Sequence, residues 1–140
     1  MSDAPASVTA RREARERALS LLYEAESRGQ PVAQIVADLP IPPARFALDI
    51  VDGVAAHLDE IDELLDDHAH GWTVDRMAAI DRAILRIAVY ELSHHADVPT
   101  GVVISEAVEL ASAYSTERST AFVNGLLAAA AEELRPGPAD

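Results

Sequence analysis

I-D-R-A-I-L-R-I-A-V-Y-E-L, residues 80–92, is apolar nearly all the way round when placed on a helix at about 100° per residue. Ile80, Ile84, Leu85, Ile87, Ala88 and Leu92 fill one broad side, and Ala83, Val89 and Tyr90 extend it. Only Arg82 and Arg86, one turn apart, form a polar edge. A helix with so little polar surface reads as the buried hub of an all-α domain. It is too short and too charged to span a bilayer. Glu91 falls in the middle of the apolar side, where a carboxylate needs a partner such as an arginine or backbone N–H groups.

Upstream of the hub, Gly71-Trp72-Thr73 breaks the chain. Thr73 is expected to cap a short helical turn through Met77 and Ala78, with the lone Trp72 as a core anchor at the junction. Before it, Ala47, Ile50, Val51, Val54, Leu58, Ile61 and Leu65 recur at three- and four-residue steps. That period predicts one long amphipathic helix over about 43–68, with an acidic outer face. A short helix is expected over 31–38, with Pro31 at its first position. The first helix is expected from a Thr9 N-cap to Arg28, with Gly29 just past its end and Ala14, Ala18, Leu21, Leu22 and Ala25 inward.

Downstream, a helix over 101–114 places Val103, Ile104, Ala107, Val108, Leu110, Ala111 and Tyr114 inward, and Glu106, Glu109 and Ser112 outward. A last helix over about 119–134 carries Phe122, Val123, Leu126, Leu127, Ala130 and Leu134 on one side. Gly125 weakens that helix and suggests close packing of another against it. Residues 1–8 read as a disordered leader and 136–140 as a tail. No strand pattern, internal repeat or glycine-rich phosphate loop occurs.

The 140 residues are the length of one domain, and 49% hydrophobic content suffices for a core built from Ala, Val, Leu and Ile. With no Cys, disulfides, thiol catalysis and Cys-ligated zinc are excluded. No secretion signal or spanning segment is visible, so a cytoplasmic location without membrane attachment is expected. The net charge of −13 argues against nucleic-acid binding through the whole surface. The charge is uneven: residues 1–30 hold five Arg against five acids, and the rest hold six Arg against nineteen acids. A polyanion would therefore land at the N-terminal end.

There, Arg11, Arg12 and Arg15 share an arc of about 100° on the first helix. Tyr23 lies near the Arg12 side, while Glu13 and Glu16 interrupt the basic run. Two readings stand on the residues alone. One is a phosphate-gripping cluster with an aromatic for base stacking. The other is a solvated face with Arg12–Glu16 as an i,i+4 pair. His68, His70, His94 and His95 lack the spacing of a catalytic metal motif and sit at predicted helix ends, so neither a metal nor another cofactor is expected. No nucleophile elbow, Walker loop or dinucleotide fingerprint occurs, and no enzymatic activity is expected.

Four segments together resemble the NusB family of bacterial transcription antitermination factors. They are A-R-R-E-A-R-E-R-A-L-S-L-L-Y-E (10–24), D-R-A-I-L-R-I-A-V-Y-E-L (81–92), D-V-P-T-G-V-V-I-S-E-A-V-E-L-A (97–111) and F-V-N-G-L-L (122–127). The resemblance implies seven helices in two subdomains packed across each other, about 9–70 and 72–135. It implies a non-enzymatic RNA-binding factor. With NusE, a ribosomal small-subunit protein, such a factor binds boxA leader RNA and supports read-through by RNA polymerase, notably in ribosomal RNA operons. On this basis Arg11, Arg12, Arg15, Tyr23, Arg118, Phe122 and Asn124 are the expected RNA contacts, and Asp81, Arg82 and Arg86 are candidates for NusE. Phe122 reads equally as core, and Asp81 equally as a carboxylate at the positive end of its helix. Glu13 departs from the family's basic run, and Arg118 stands where an acid is common. The family also implies a homodimer as an alternative association through the arginine-bearing face. Two further classes stay open: a helical dimerisation or scaffold protein without an RNA role, and an accessory domain of RNA modification.

Overall fold

The computed structural model describes residues 7–137. Seven α-helices follow one another among them: α1 (Val8–Arg28), α2 (Val32–Ala37), α3 (Arg45–Ala56), α4 (Leu58–His68), α5 (Ala79–His94), α6 (Thr100–Tyr114) and α7 (Glu117–Leu134). No strand occurs among the described residues, and none of their helices is long and apolar enough to cross a membrane. Of the expected leader over 1–8, all but Ser7 and Val8 lies outside the described residues, as do 138–140 of the expected tail.

The hub is α5. Ala83, Ile84 and Leu85 and the whole run from Ile87 to Leu92 are buried, leaving Arg82 and Arg86 as the polar edge. Helices α1, α3, α4, α6 and α7 all pack against it. Full burial of side chains such as Ile84, Leu85 and Ile87 is worth roughly 1.5–3 kcal/mol each, which is why this short stretch dominates the core. One continuous cluster of buried side chains draws on every helix.

Local signals set the helix ends, with some shifts. Ser7 rather than Thr9 caps α1: its side chain accepts the Ala10 N–H at 3.0 Å, so the helix begins earlier. Gly29 ends the helix in the left-handed conformation (φ 63°), donating its N–H to the Ala25 and Glu26 carbonyls. Pro31 sits at the N-cap of α2, one position before the first helical residue. Thr116 caps α7, which begins at Glu117, two residues ahead of the expected start.

The long helix expected over 43–68 is two helices. His57 leaves the helical conformation (φ −116°, ψ 22°) and stacks on His94, with ring centroids 4.2 Å apart. This break re-aims α4, so that it packs on α5 and α7 while α3 packs on α1 and α5. Hydropathy continues in register across the break, so periodicity alone did not reveal it. Gly125 has nothing within 4 Å of where a Cβ would stand, against the expected close packing there. The crowded glycine is Gly53 on α3, whose Cβ would lie 2.0 Å from Cζ of Tyr90 on the hub.

Candidate nucleic-acid interface

The arginines of α1 differ in fate although they share one face. Arg15 turns into the protein. Its Nε and Nη2 donate to Glu91 Oε2 and Oε1 at 2.9 and 2.7 Å, with the two side chains 4% and 2% exposed. The carboxylate stranded in the apolar side of the hub thus finds its partner on α1. Opening such a buried pair costs about 3–5 kcal/mol. Arg15 is therefore fixed as the floor of the cluster and is not presented to solvent. Behind the pair, His95 Nδ1 lies 4.0 Å from Glu91, and its Nε2 lies 2.5 Å from Asp49. The Tyr90 hydroxyl donates to the same Asp49 carboxylate at 3.2 Å. Burial, with Asp49 as the next cause, raises the Tyr90 pKa.

Arg12 stays at the surface, half-exposed, and donates from Nε and Nη2 to Glu106 at 3.1 and 3.0 Å. This pair, made first by hydrogen bonding and then by charge, raises the Arg12 pKa. Glu106 is buried, against its expected outward position, because Arg12 from α1 covers it. The i,i+4 pairing of Arg12 with Glu16 does not form. Glu16 instead accepts the hydroxyl of Tyr114, a residue expected inward but half-exposed, and that hydrogen bond raises the Tyr114 pKa. Arg11 is the least satisfied of the three. Its guanidinium lies 5.1 Å from the Phe46 ring centroid and 4.0 Å from Asp97, and its Nε is buried with no hydrogen-bond partner. Tyr23 is exposed about three turns further along the helix than Arg11.

At the start of α7, Arg118 and Asn124 are exposed and Phe122 is half-buried. Arg118 and Phe122 line a cleft of about 470 Å³ together with Trp72 and Arg76. Trp72 is 60% exposed and is not the expected core anchor. His70 (φ 48°) and Gly71 (φ 95°) turn the chain outward there, and Val74 and Met77 take the buried places beside the hub.

The three residues suggested for a protein partner are committed inward to different degrees. Asp81 is buried, with Ser115 Oγ and Ser119 Oγ donating to its two oxygens at 2.6 and 2.8 Å. It ties the first turn of α5 to the start of α7. Arg82 donates from Nη1 to the carbonyls of Val74 and Met77 at 2.9 and 2.8 Å, and pairs with Glu26 on α1. Burial, followed by the like charge of Arg86, lowers its pKa. Arg86 grips Asp62 on α4 through two contacts of 2.8 Å. Both arginines line a second cleft of about 630 Å³ between α1, α2, α3 and α5.

Sequence reasoning missed Glu106 and the Trp72–Arg76 pair. Glu106 lies 94 positions from Arg12, and no local pattern couples them.

The NusB family model matches residues 12–132. The transcription antitermination protein NusB of Salinispora tropica is 48% identical over 130 residues, spanning 88% of this chain and 96% of that protein. The chain belongs to the NusB family. Its fold is the NusB fold: T. maritima NusB superposes with a TM-score of 0.80 at 33% identity, covering 88% of this chain and 91% of that one. A chain of the crystal structure of NusB and NusE in complex with double-stranded RNA gives a TM-score of 0.77 at 28% identity, covering 91% and 99%.

Proposed function

We propose that this chain is an RNA-binding transcription antitermination factor. With NusE it grips boxA-type leader RNA and supports read-through by RNA polymerase, notably in ribosomal RNA operons. It acts by binding, without a reaction of its own, in the cytoplasm. The observation that carries this reading is kinship with antitermination NusB over nearly the whole chain, including a NusB solved together with NusE and RNA.

Arg11 and Arg12 contact phosphates at the N-terminal end of α1, with Arg15 holding that end of the helix against the hub. Arg11 is suited to this by a guanidinium held only at 4.0 Å from Asp97, and Arg12 by the half of its side chain that remains exposed. Tyr23, Arg118, Phe122 and Asn124 extend the path toward α7. NusE meets the cleft bordered by Arg82 and Arg86, while Asp81, at the other cleft, ties the first turn of α5 to the start of α7. The strong net acidity makes binding by this chain alone weak and leaves RNA affinity dependent on the partner.

The test is binding of a short boxA-type RNA with and without NusE, at two salt concentrations, against a scrambled RNA. Sequence-dependent binding that strengthens with NusE is expected. Three arginine–phosphate contacts predict a log–log salt slope of about −2. Equal binding of boxA and scrambled RNA under both conditions would overturn the reading and leave a helical scaffold protein.

A further inference from the structure

The geometry points to a nucleotide-binding subsite in the cleft between the turn before α5 and the start of α7. There the base of an unpaired RNA residue stacks on Trp72, and its flanking phosphates pair with Arg76 and Arg118. This rests on the RNA-binding reading above and adds to it a place, two new residues and a mode of contact.

Three observations carry it. Trp72 is the only Trp of the chain and is 60% exposed on the turn before α5. That turn is held by the Trp72 N–H donating to the Ala69 carbonyl at 3.1 Å and by the Val74 N–H donating to Asp66 at 2.7 Å. An exposed aromatic face on a fixed backbone is a stacking platform that needs little ordering on binding. Next, Arg76 and Arg118 are both exposed at the same cleft, and neither has a carboxylate within 4.0 Å among the described residues. Arg17 and Arg45 are likewise exposed without such a partner among the described residues, but Arg76 and Arg118 are the two that line one cleft with Trp72 on a chain of net charge −13. Last, Asp81 lines the cleft, but both of its oxygens are occupied by the hydroxyls of Ser115 and Ser119. The carboxylate is thus engaged by the two serines and makes no ion pair with either arginine among the described residues.

The volume of about 470 Å³ falls in the range of small-ligand sites, roughly 300–1,000 Å³. Met77 and the half-buried Phe122 give it an apolar floor. An aromatic wall, an apolar floor and two unpaired guanidiniums match the parts of a nucleotide: a flat base and an anionic backbone. A polyanion is favoured over an apolar protein segment, because docking such a segment would bury two charges without partners.

Because Trp72 is the only Trp, its intrinsic fluorescence reports the stack directly. Single-stranded boxA-type RNA is titrated into the full chain with NusE present, and binding is followed independently by a labelled RNA. Trp72 emission is expected to be quenched along the same isotherm. Trp72→Ala should weaken RNA binding on the order of tenfold, with Trp72→Phe recovering part of the loss. Arg76→Ala and Arg118→Ala should each flatten the salt slope by about 0.7. Affinity for NusE without RNA should be unchanged in all four variants. If wild-type protein binds boxA RNA while Trp72 emission stays constant and Trp72→Ala binds equally well, the subsite is refuted and the antitermination reading stands. If Trp72→Ala instead loses NusE affinity with RNA affinity unchanged, the cleft is a protein-docking surface and the subsite is again refuted. Absence of boxA binding by the wild type with NusE would overturn both readings together.

Discussion

At the N-terminal end of α1, Arg12 and Arg15 are each held by two hydrogen bonds to a carboxylate from another helix, whereas Arg76 and Arg118 at the Trp72 cleft face solvent unpaired. The first region is the basic cluster that sequence displays most openly. Yet Glu91 neutralises one of its guanidiniums and Glu106 another. The second region is assembled from residues 42 or more positions apart, 72–76 and 118–122, and shows no basic run at all. Positive charge counted along a helix is therefore not the charge a polyanion meets. A phosphate at Arg12 competes with a carboxylate already in place and gains only the difference. A phosphate at Arg118 meets an unpaired guanidinium.

The two regions should differ most in stability. Glu91→Leu would leave the Arg15 guanidinium buried without a counter-charge, and chemical denaturation should show a loss of about 3–5 kcal/mol. Arg76→Ala and Arg118→Ala, by contrast, should fall within about 0.5 kcal/mol of wild type. Equal losses in the two regions would show that the apparent difference in commitment has no energetic content.

Next comes the wall behind the Arg15–Glu91 pair. Gly53→Ala drives a methyl group into the Tyr90 ring and should destabilise the chain by about 1–3 kcal/mol by overpacking. Gly125→Ala, where nothing lies within 4 Å, should be neutral or slightly stabilising in the same denaturant series.

On RNA the two regions should differ in salt dependence. Arg12→Ala should reduce the log–log slope by less than Arg118→Ala, which should remove about 0.7. Glu106→Gln, which keeps the shape and removes the competing charge, should strengthen RNA binding and steepen the slope. A Glu106→Gln protein that binds RNA more weakly would mean that Glu106 holds Arg12 in its binding pose.

The smallest effect is one of pH. The Tyr90 pKa is raised above its ordinary 10.0 in the folded protein, first by burial and then by Asp49. The folded chain keeps a proton that the unfolded chain releases, so this contribution is fully present below pH 10.0 and is lost as pH rises through the raised value. Unfolding free energies measured on either side of pH 10.0 should decline less in Tyr90→Phe than in wild type.

Much of the architecture was legible because it rests on local periodicity and on chain punctuation. The hub over 80–92 announced its burial by lacking a polar face, and Gly29 and the prolines marked ends where backbone geometry leaves few alternatives. The need of Glu91 for a partner, an arginine or backbone N–H groups, was also readable, since a carboxylate in an apolar stripe is costly unless satisfied. What periodicity could not reveal were features set by a single residue's backbone conformation. His57 breaks a helix without breaking the hydropathy pattern, and the left-handed His70 and Gly71 turn Trp72 outward where its apolar character suggested the core.

By itself, then, the sequence determined the helices, the hub and the family, because each depends on residue type at short spacing. Only the tertiary structure decided which arginines are available. Ion pairing between α1 and α5 or α6 joins residues 76 and 94 positions apart, and a pair exists only when packing brings both side chains within hydrogen-bond reach. Among the described residues, the same packing withdrew Arg15, covered Glu106 and left Trp72, Arg76 and Arg118 together at one open cleft.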